Sequence, residues 1–306
     1  MTADDAAQRR VHNPVAEDEP RSNGVPLPQR GSGRTAVVTL CSVERTDHVR
    51  HQLRSVRATA APADPVHVVL VWIGDEGSLD VASGLGADEV LSVPPGTRGL
   101  RLAAARNAGA DAAVAAGASL VVFLDADCVA GPRLLNSYRR AAVARPDAVL
   151  CGPVTYLPPG VDVDDTAVLD AATAPHAARP APPDGELVVA GPGDYPLFWS
   201  LSFALTADTW RRGPRFDDRY EGYGGEDTDY AFALRDAAVP LVWVGGADAY
   251  HQHHATSSPP WQHLHDIVRN GGLFAERWGV WPMEGWLEAF ELAGAVRRDA
   301  DGWSLA

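Results

Sequence analysis

The chain has 306 residues, and its 26 Lys or Arg and 40 Asp or Glu side chains give a formal net charge of −14 at pH 7. This balance excludes a typical nucleic-acid-binding protein, because neutralising phosphates requires a basic surface. Hydrophobic residues make up 46% of the sequence, the usual share for a globular protein with a sizeable core.

The three cysteines, Cys41, Cys128 and Cys151, lie far apart and form no C-x-x-C pair. Neither a disulfide framework nor a cysteine zinc site is therefore expected, and a reducing cytosol is the simplest compartment. No apolar window approaches the roughly 18 residues of a membrane helix. We expect a cytoplasmic protein without a membrane span, attached to a membrane surface at most.

Residues 1–34 are polar, contain several prolines and glycines, and show no hydrophobic periodicity. Such a segment cannot offset the entropy lost on ordering, so it is predicted to be a disordered tail. One domain, 35–306, is expected to follow.

From residue 35 the pattern alternates between short apolar runs and segments with helical spacing. The runs typical of buried strands are 35–40, 66–74, 88–93 and 118–124. The helical segments among them are 45–58 and 99–117. Continuous apolar strands separated by helices indicate a parallel sheet covered on both faces. Residues 35–155 are therefore predicted to form a nucleotide-binding type of α/β layer.

The composition changes at residues 156–186, which are rich in Pro, Asp and Ala and predict a long surface excursion. The second half of the domain, 187–306, contains the strand-like segments "WSLSFALT" and "PLVWVGGADAYHQHH". An amphipathic helix is predicted around Trp286, Leu287 and Phe290.

Two acidic segments follow predicted strands. In "VVFLDADCV" the side chains of Asp125 and Asp127 alternate along an extended chain and are expected to point the same way. Because open α/β sheets bind ligands at the carboxyl ends of strands, this is a candidate seat for a divalent cation and a diphosphate. Asp75 in "VWIGDEGSLD" is placed to accept the N3 proton of a uracil ring. The alternative for Asp125 and Asp127 is that they simply end a strand, and the alternative for the Asp75 segment is a polar turn.

The segment "GYGGEDTDYAF" places Glu226, Asp227 and Asp229 behind glycines and at the start of a predicted helix. Acids in the first turn complement the helix dipole. Three acids within four positions exceed what a cap requires, and the glycines allow a substrate to approach the backbone closely. These residues are therefore candidates for chemistry.

Five histidines occur within "YHQHHATSSPPWQHLHD". A zinc-binding module is one interpretation, because imidazole suits transition metals. His251 ends a predicted strand, and the two-residue period of a strand would place His253 on the same face.

These motifs together resemble those of family 2 glycosyltransferases. "DEGSLD" is similar to their D-D-G-S-x-D stretch, "LRLAAARNAGADAA" to their A-x-x-R-N-x-G helix and "LDADC" to their D-x-D, in the family's order. "FDDRYEGYGGEDTDYAFAL" and "ADAYHQHH" resemble the E-D-x-D segment and histidine strand of galactosyltransferase-like enzymes. The resemblance covers roughly residues 35 to 290 and implies the GT-A fold, a Rossmann-like α/β sheet with helices on both faces, continuous with an acceptor-side part.

The resemblance implies a metal-dependent, inverting transfer of a sugar from a nucleotide diphosphate donor, a UDP-sugar, to a hydroxyl acceptor. It implies Asp227 as the general base, Glu226 as a residue that orients the acceptor, and a structural role for Asp229. The membrane segments and the Q-x-x-R-W motif of processive members are missing, so transfer of a single sugar is expected.

The resemblance also implies a set of binding residues. A Mn²⁺ or Mg²⁺ ion is expected to be held by Asp127, at the end of a strand of the first half, and by His251 of the second half, 187–306. His253 is the other candidate histidine. The residues expected to contact the donor are Arg45, Asp75, Arg106, Asp125 and Asp127. Trp199 is the candidate for stacking on the acceptor.

Two other functions remain open from the sequence. A nucleotidyltransferase shares the α/β layer and the metal chemistry, although "TLCSVERTDH" lacks the glycine-rich loop that usually opens such enzymes. A non-catalytic protein that binds carbohydrate or stores metal would use the histidine cluster alone.

Overall fold

The structure, a computed structural model, describes residues 33–61, 64–300 and 302–306. The predicted disordered tail lies outside these ranges except for Gly33 and Arg34. Within the described ranges, no helix has both the length and the apolar character needed to span a bilayer.

The strands of the described residues form three sheets. In chain order they are β1 (Thr35–Cys41), β2 (Val66–Ile73), β3 (Glu89–Val93), β4 (Leu120–Leu124), β5 (Cys128–Ala130), β6 (Val149–Cys151), β7 (Val154–Tyr156), β8 (Leu187–Val189), β9 (Ser202–Thr206), β10 (Leu241–Val244), β11 (Ala249–His251), β12 (Val296–Asp299) and β13 (Gly302–Leu305).

The α-helices cover both faces of the largest sheet and build the C-terminal part. In chain order they are α1 (Thr46–Thr59), α2 (Leu79–Ser83), α3 (Leu102–Ala115), α4 (Leu134–Ala144), α5 (Thr166–Ala171), α6 (Ala207–Arg212), α7 (Glu226–Asp236), α8 (Leu264–Trp278) and α9 (Glu284–Leu292).

The largest sheet has eight strands in the order β3-β2-β1-β4-β9-β6-β10-β8. The first four are parallel to one another, as the apolar runs predict. β9 runs antiparallel to both β4 and β6, and β8 runs antiparallel to β10. The sheet is therefore mixed, and its parallel half comes from residues 35–124.

Alternate residues of each central strand enter different cores. Val37 packs with α1 and α4 on one face, whereas Val38 packs with α3 and α7 on the other. Helix α3 approaches the sheet closely because it has Gly109 at the contact. A Cβ at this position would lie 2.5 Å from the Val38 side chain and 2.8 Å from the Val71 side chain.

A second sheet has three strands in the order β5-β11-β7. Its first strand, β5, follows β4 closely along the chain. β4 ends at Leu124, and a turn leads into β5 at Cys128. Asp125 and Asp127 therefore do not continue one strand, as the sequence pattern suggested, because the chain changes sheets between them. In the small sheet His251 pairs with Cys128 and with Tyr156, so it lies next to Asp127.

The segment 240–254, predicted as a single strand, contains two strands that belong to different sheets. β10 belongs to the large sheet and β11 to the small one, with Gly245 and Gly246 at the break. Gly246 has a φ of 81°, in the left-handed region that favours glycine. This break turns the histidine segment away from the core and towards Asp127.

Residues 156–186 contain a helix and pack on the small sheet. Helix α5 is capped by Asp165, whose side chain accepts hydrogen bonds from the backbone of Ala167 and Val168. Leu169 of this helix is buried in a small apolar cluster with Val129 and Tyr250.

The C-terminal part has its own apolar cluster and includes a helix that the sequence pattern did not predict. Ile267 of α8 packs with Leu287 and Phe290 of the predicted α9, and with Val296 and Trp303 of the β12–β13 hairpin.

Asp229 joins this C-terminal part to helix α7. Its side chain is fully buried and accepts hydrogen bonds from Arg277 Nη1 and Trp278 Nε1, both at 2.7 Å. The two ends of this contact lie on different helices, α7 and α8. Asp229 therefore fixes the position of the helix that begins with Glu226 and Asp227.

We expect Asp229→Ala to lower the free energy of unfolding by about 2 kcal/mol or more, because two donors lose their acceptor. Asp208→Ala is the control, since Asp208 forms an exposed ion pair with Arg212 and its loss should cost less than about 1 kcal/mol. Urea unfolding of both variants measures the difference. Equal losses would show that Asp229 does not join the helices.

Candidate active site

Asp127, His251 and His254 form a cluster that can hold a metal ion. One carboxylate oxygen of Asp127 lies 3.5 Å from His251 Nε2, and the other lies 3.3 Å from His254 Nε2. Ligand atoms of all three residues lie within 4.8 Å of one another. Arg45 lies beside them, with its Nε 3.7 Å from Asp127 Oδ2 and its Nη2 3.5 Å from His254 Nε2.

His254, not His253, is the second histidine of this cluster. The sequence-based choice of His253 relied on the two-residue period of a strand, but β11 ends at His251. Gln252, the next residue, is held by two hydrogen bonds: its side-chain Nε2 donates to the backbone oxygen of His48, and its backbone N–H donates to the backbone oxygen of Asp127. His253 is exposed and lines a separate cavity with His48.

The charges of the cluster suit metal binding. Burial alone would raise the pKa of Asp127, but the hydrogen bond with His254 and the charges of His251 and Arg45 outweigh it and lower that pKa to about 2. Burial lowers the pKa of His251, against the opposing effect of Asp127. The carboxylate is therefore ionised and His251 is neutral at pH 7, which are the forms that bind cations.

Arg106 connects this region to the acids of helix α7. Its side chain is buried, with Nη2 3.2 Å from Asp125 Oδ1 and Nη1 3.2 Å from Glu226 Oε1. It lies in α3, the helix that Gly109 brings close to the sheet. The guanidinium therefore bridges the end of β4 and the start of α7.

Asp227 lies next to this bridge, and the pKa of its carboxyl group is higher than usual. Burial and the charge of Glu226 raise its pKa to about 7, although the charge of Arg106 and the hydrogen bond from the Thr228 backbone N–H oppose the rise. Burial also raises the pKa of Asp125, to about 6. A carboxyl group that titrates near neutral pH can both accept and release a proton.

The glycine loop before Glu226 is held by Asn270, a residue that the sequence analysis missed. Gly224 and Gly225 have φ values of 93° and 90°, so the chain turns sharply into the helix. Asn270 of α8 is fully buried, and its Nδ2 donates to the backbone oxygens of Glu221, Tyr223 and Gly224 at 2.9 to 3.2 Å. No local pattern marks this asparagine.

Asp75 lines a cavity of about 490 Å³ at the ends of β1 and β2. Asp75 Oδ1 accepts the backbone N–H of Ser78 at 2.9 Å, and the residue is exposed. The same cavity is lined by Tyr223 and His263, whose rings stack with centroids 4.3 Å apart. The acidic turn and the glycine loop thus border one space, although they are far apart in sequence.

Trp199 is separated from the cluster of Asp127, His251 and His254 by two aromatic rings. Its indole is 4.9 Å from the His176 ring, His176 is 5.7 Å from Tyr156, and Tyr156 stacks on His251 at 4.6 Å. Tyr156 is 46% exposed, which makes it a second aromatic surface beside the cluster. The sequence offered no signal for Tyr156, because its contact with His251 depends on the pairing of β7 with β11.

The large sheet is mixed and has eight strands. Near the ends of its central strands lie a cluster that can hold a metal ion and a helix that begins with acidic residues. This arrangement is that of the GT-A class of fold. No family model matches the chain. It is 30% identical over 242 residues to validoxylamine A glucosyltransferase of Streptomyces hygroscopicus subsp. limoneus, covering 69% of this chain and 51% of the relative. It is 29% identical over 238 residues to the protein of the same name from subsp. jinggangensis, covering 69% and 54%. The chain thus spans about half the length of the curated relatives it matches.

Solved structures agree on the fold. Staphylococcus aureus TarS 1–349 superposes with a TM-score of 0.52 at 13% identity, over 79% of this chain and 64% of that one. GalNAc-T7 with UDP, GalNAc and Mn²⁺ gives 0.53 at 13% identity, over 87% and 60%. These comparisons confirm the GT-A fold and the resemblance to family 2 glycosyltransferases that the sequence motifs indicated.

We expect His254→Ala to weaken Mn²⁺ binding by at least about tenfold, because losing a ligand should cost no less than losing an outer-sphere partner. His253→Ala is the matched control and should bind Mn²⁺ like the unmodified protein. Titration calorimetry measures both. The assignment of the cluster is wrong if His253→Ala weakens binding and His254→Ala does not.

Proposed function

We propose that the protein is a metal-dependent, inverting glycosyltransferase that moves one sugar from a nucleotide diphosphate donor to a hydroxyl acceptor. The observation that carries this proposal is the bridge by which Arg106 joins Asp125, two residues before Asp127 of the cluster, to Glu226, the residue before Asp227. It joins a cation site to a carboxyl group of raised pKa on a GT-A fold. The names of the two relatives favour glucose as the sugar.

The cavity lined by Asp75 is the proposed site for the nucleobase. It lies beyond the carboxyl ends of parallel strands, where open α/β sheets bind nucleotides. Asp75 would accept the N3 proton of uracil, and the stacked rings of Tyr223 and His263 would form one wall. TarS structures in complex with UDP and with UDP-GlcNAc support UDP as the carrier.

Asp127, His251 and His254 are the proposed metal ligands. Two imidazoles and one carboxylate favour Mn²⁺ over Mg²⁺, which prefers oxygen ligands. A bound divalent cation would neutralise the charge that develops on the departing diphosphate. Three protein ligands also leave positions open for a substrate, unlike a closed structural zinc site, and this favours transfer over metal storage.

Asp227 is the proposed general base. As the acceptor hydroxyl oxygen bonds to the anomeric carbon, its proton passes to the Asp227 carboxylate while the bond to the diphosphate breaks. A single displacement of this kind inverts the anomeric configuration. Glu226 and Arg106 act on this step by position: their ion pair holds the first turn of α7 beside Asp125, and the charge of Glu226 keeps the pKa of Asp227 high enough for a base.

We expect Asp227→Asn to lower transfer by about 100-fold to 10,000-fold, the usual contribution of a general base, while UDP binding with Mn²⁺ remains unchanged. The stability of this variant should increase at high pH, although its activity falls. The folded-state pKa of Asp227 is about 7 and its reference value is 3.8, so ionisation costs stability as pH rises from about 4 through 7. At pH 8 the uncharged Asn should therefore melt at a higher temperature, with little difference at pH 4.

The matched control is Asp236→Asn, an exposed acid at the other end of the same helix, which should change neither quantity. Donor hydrolysis and transfer assays, with thermal melting at pH 4 and pH 8, provide the measurements. Normal transfer by Asp227→Asn would refute the base assignment. Loss of UDP binding by the same variant would show a role in the donor site instead.

A further inference from the structure

Arg179 is a buried cation without a hydrogen-bond acceptor. Arg179 is only 6% exposed and belongs to the Pro- and Asp-rich segment that packs on the small sheet. Within the described part of the chain, none of its Nε, Nη1 and Nη2 atoms has a partner. Burying a guanidinium without acceptors is unfavourable, so a group with acceptor atoms is expected to meet it.

Two indole rings lie next to the guanidinium. Its central carbon lies 5.2 Å from the ring centroid of Trp199 and 5.2 Å from that of Trp243. Cation–π attraction to both rings offsets part of the burial cost but satisfies none of the N–H groups. The Nε1 of Trp243 likewise has no partner among the described residues. Four donor nitrogens without acceptors therefore belong to one pair of neighbouring side chains.

Two ionisable side chains near Arg179, those of Tyr138 and Cys151, do not neutralise it. Burial raises the pKa of each one above its usual value, and the charge of Arg179 only partly opposes the rise. Both are neutral at pH 7, so neither is a counter-ion for the guanidinium.

The guanidinium is connected to the proposed reaction centre by a series of aromatic contacts. The ring of Trp199 contacts His176, His176 contacts Tyr156, and Tyr156 stacks on His251. Of the two indoles beside Arg179, that of Trp243 is fully buried, whereas Trp199 is partly exposed. A ligand in the cleft would therefore reach Arg179 by moving the Trp199 indole.

We propose that Arg179 binds the carboxylate of an acidic sugar substrate, and that Trp199 is the cover over this anion site. A planar carboxylate pairs with a guanidinium through two parallel N–H···O bonds and would satisfy donors that have no acceptor among the described residues. This inference rests on the proposed glycosyltransferase function and specifies its substrate class.

The carboxylate can belong to the donor sugar or to the acceptor, and two pairs of probes separate these sources. The donor arm compares UDP-glucuronic acid with UDP-glucose in the presence of Mn²⁺. The acceptor arm compares D-glucuronate with D-glucose, both with UDP and Mn²⁺ and without them. Titration calorimetry gives the affinity of each probe for the full chain.

We expect the acidic probe of one arm to bind about 10-fold to 100-fold more tightly than its neutral counterpart, the effect of hydrogen bonds to a charged group. Arg179→Gln should abolish this preference while UDP affinity and melting temperature stay close to normal. Arg179→Lys should lose most of the preference, because an ammonium group cannot form the two parallel bonds. Trp199→Ala should bind the acidic probe at least as tightly as the unmodified protein.

Arg298→Gln is the matched control, because Arg298 also lies over an indole, that of Trp303, but is exposed on the C-terminal hairpin. It should keep the preference. If the unmodified protein binds UDP but prefers neither acidic probe, or if Arg179→Gln and Arg179→Lys keep the preference, the anion site is refuted and the transferase proposal is not. Failure to bind UDP with Mn²⁺ refutes the transferase proposal, and the arm without UDP then decides on the anion site alone.

Discussion

The candidate site depends on one buried guanidinium, that of Arg106, which pairs with Asp125 from the large sheet and with Glu226 from helix α7. Removing one partner of a buried ion pair typically costs about 3–5 kcal/mol, because a charge is left uncompensated. Arg106 can reach both acids because Gly109 lets α3 lie against β1 and β2. The packing of a glycine on valines is thus the origin of the arrangement that brings the cation site and the proposed base together.

Different neighbours shift the pKa values of two carboxyl groups in opposite directions. Asp127 faces His251, His254 and Arg45, and its pKa falls to about 2. Asp227 is as buried but lies beside Glu226, and its pKa rises to about 7. Environments that separate the pKa values of neighbouring acids commonly separate their roles. This difference supports the assignment of Asp127 to the metal and of Asp227 to proton transfer.

The sequence predicted what depends on local periodicity and missed what depends on contacts between distant segments. The parallel strands and the helix beginning at Glu226 follow from apolar spacing and glycines. The second histidine beside Asp127 did not follow from the sequence, because the end of β11 at His251 is set by its pairing with other strands. After this end, His254 and not His253 lies next to Asp127. Asn270, which shapes the glycine loop from a separate helix, carries no local signal at all.

The most direct measurement of this account is the position of the cation relative to the proposed base. Crystals grown with UDP and Mn²⁺ would locate the ion by its anomalous scattering. We expect a Mn²⁺ ion bound to Asp127, His251, His254 and the diphosphate, on the same side of the cleft as the Asp227 carboxylate. A peak elsewhere, or a diphosphate on the far side of the sheet from Asp227, would contradict it.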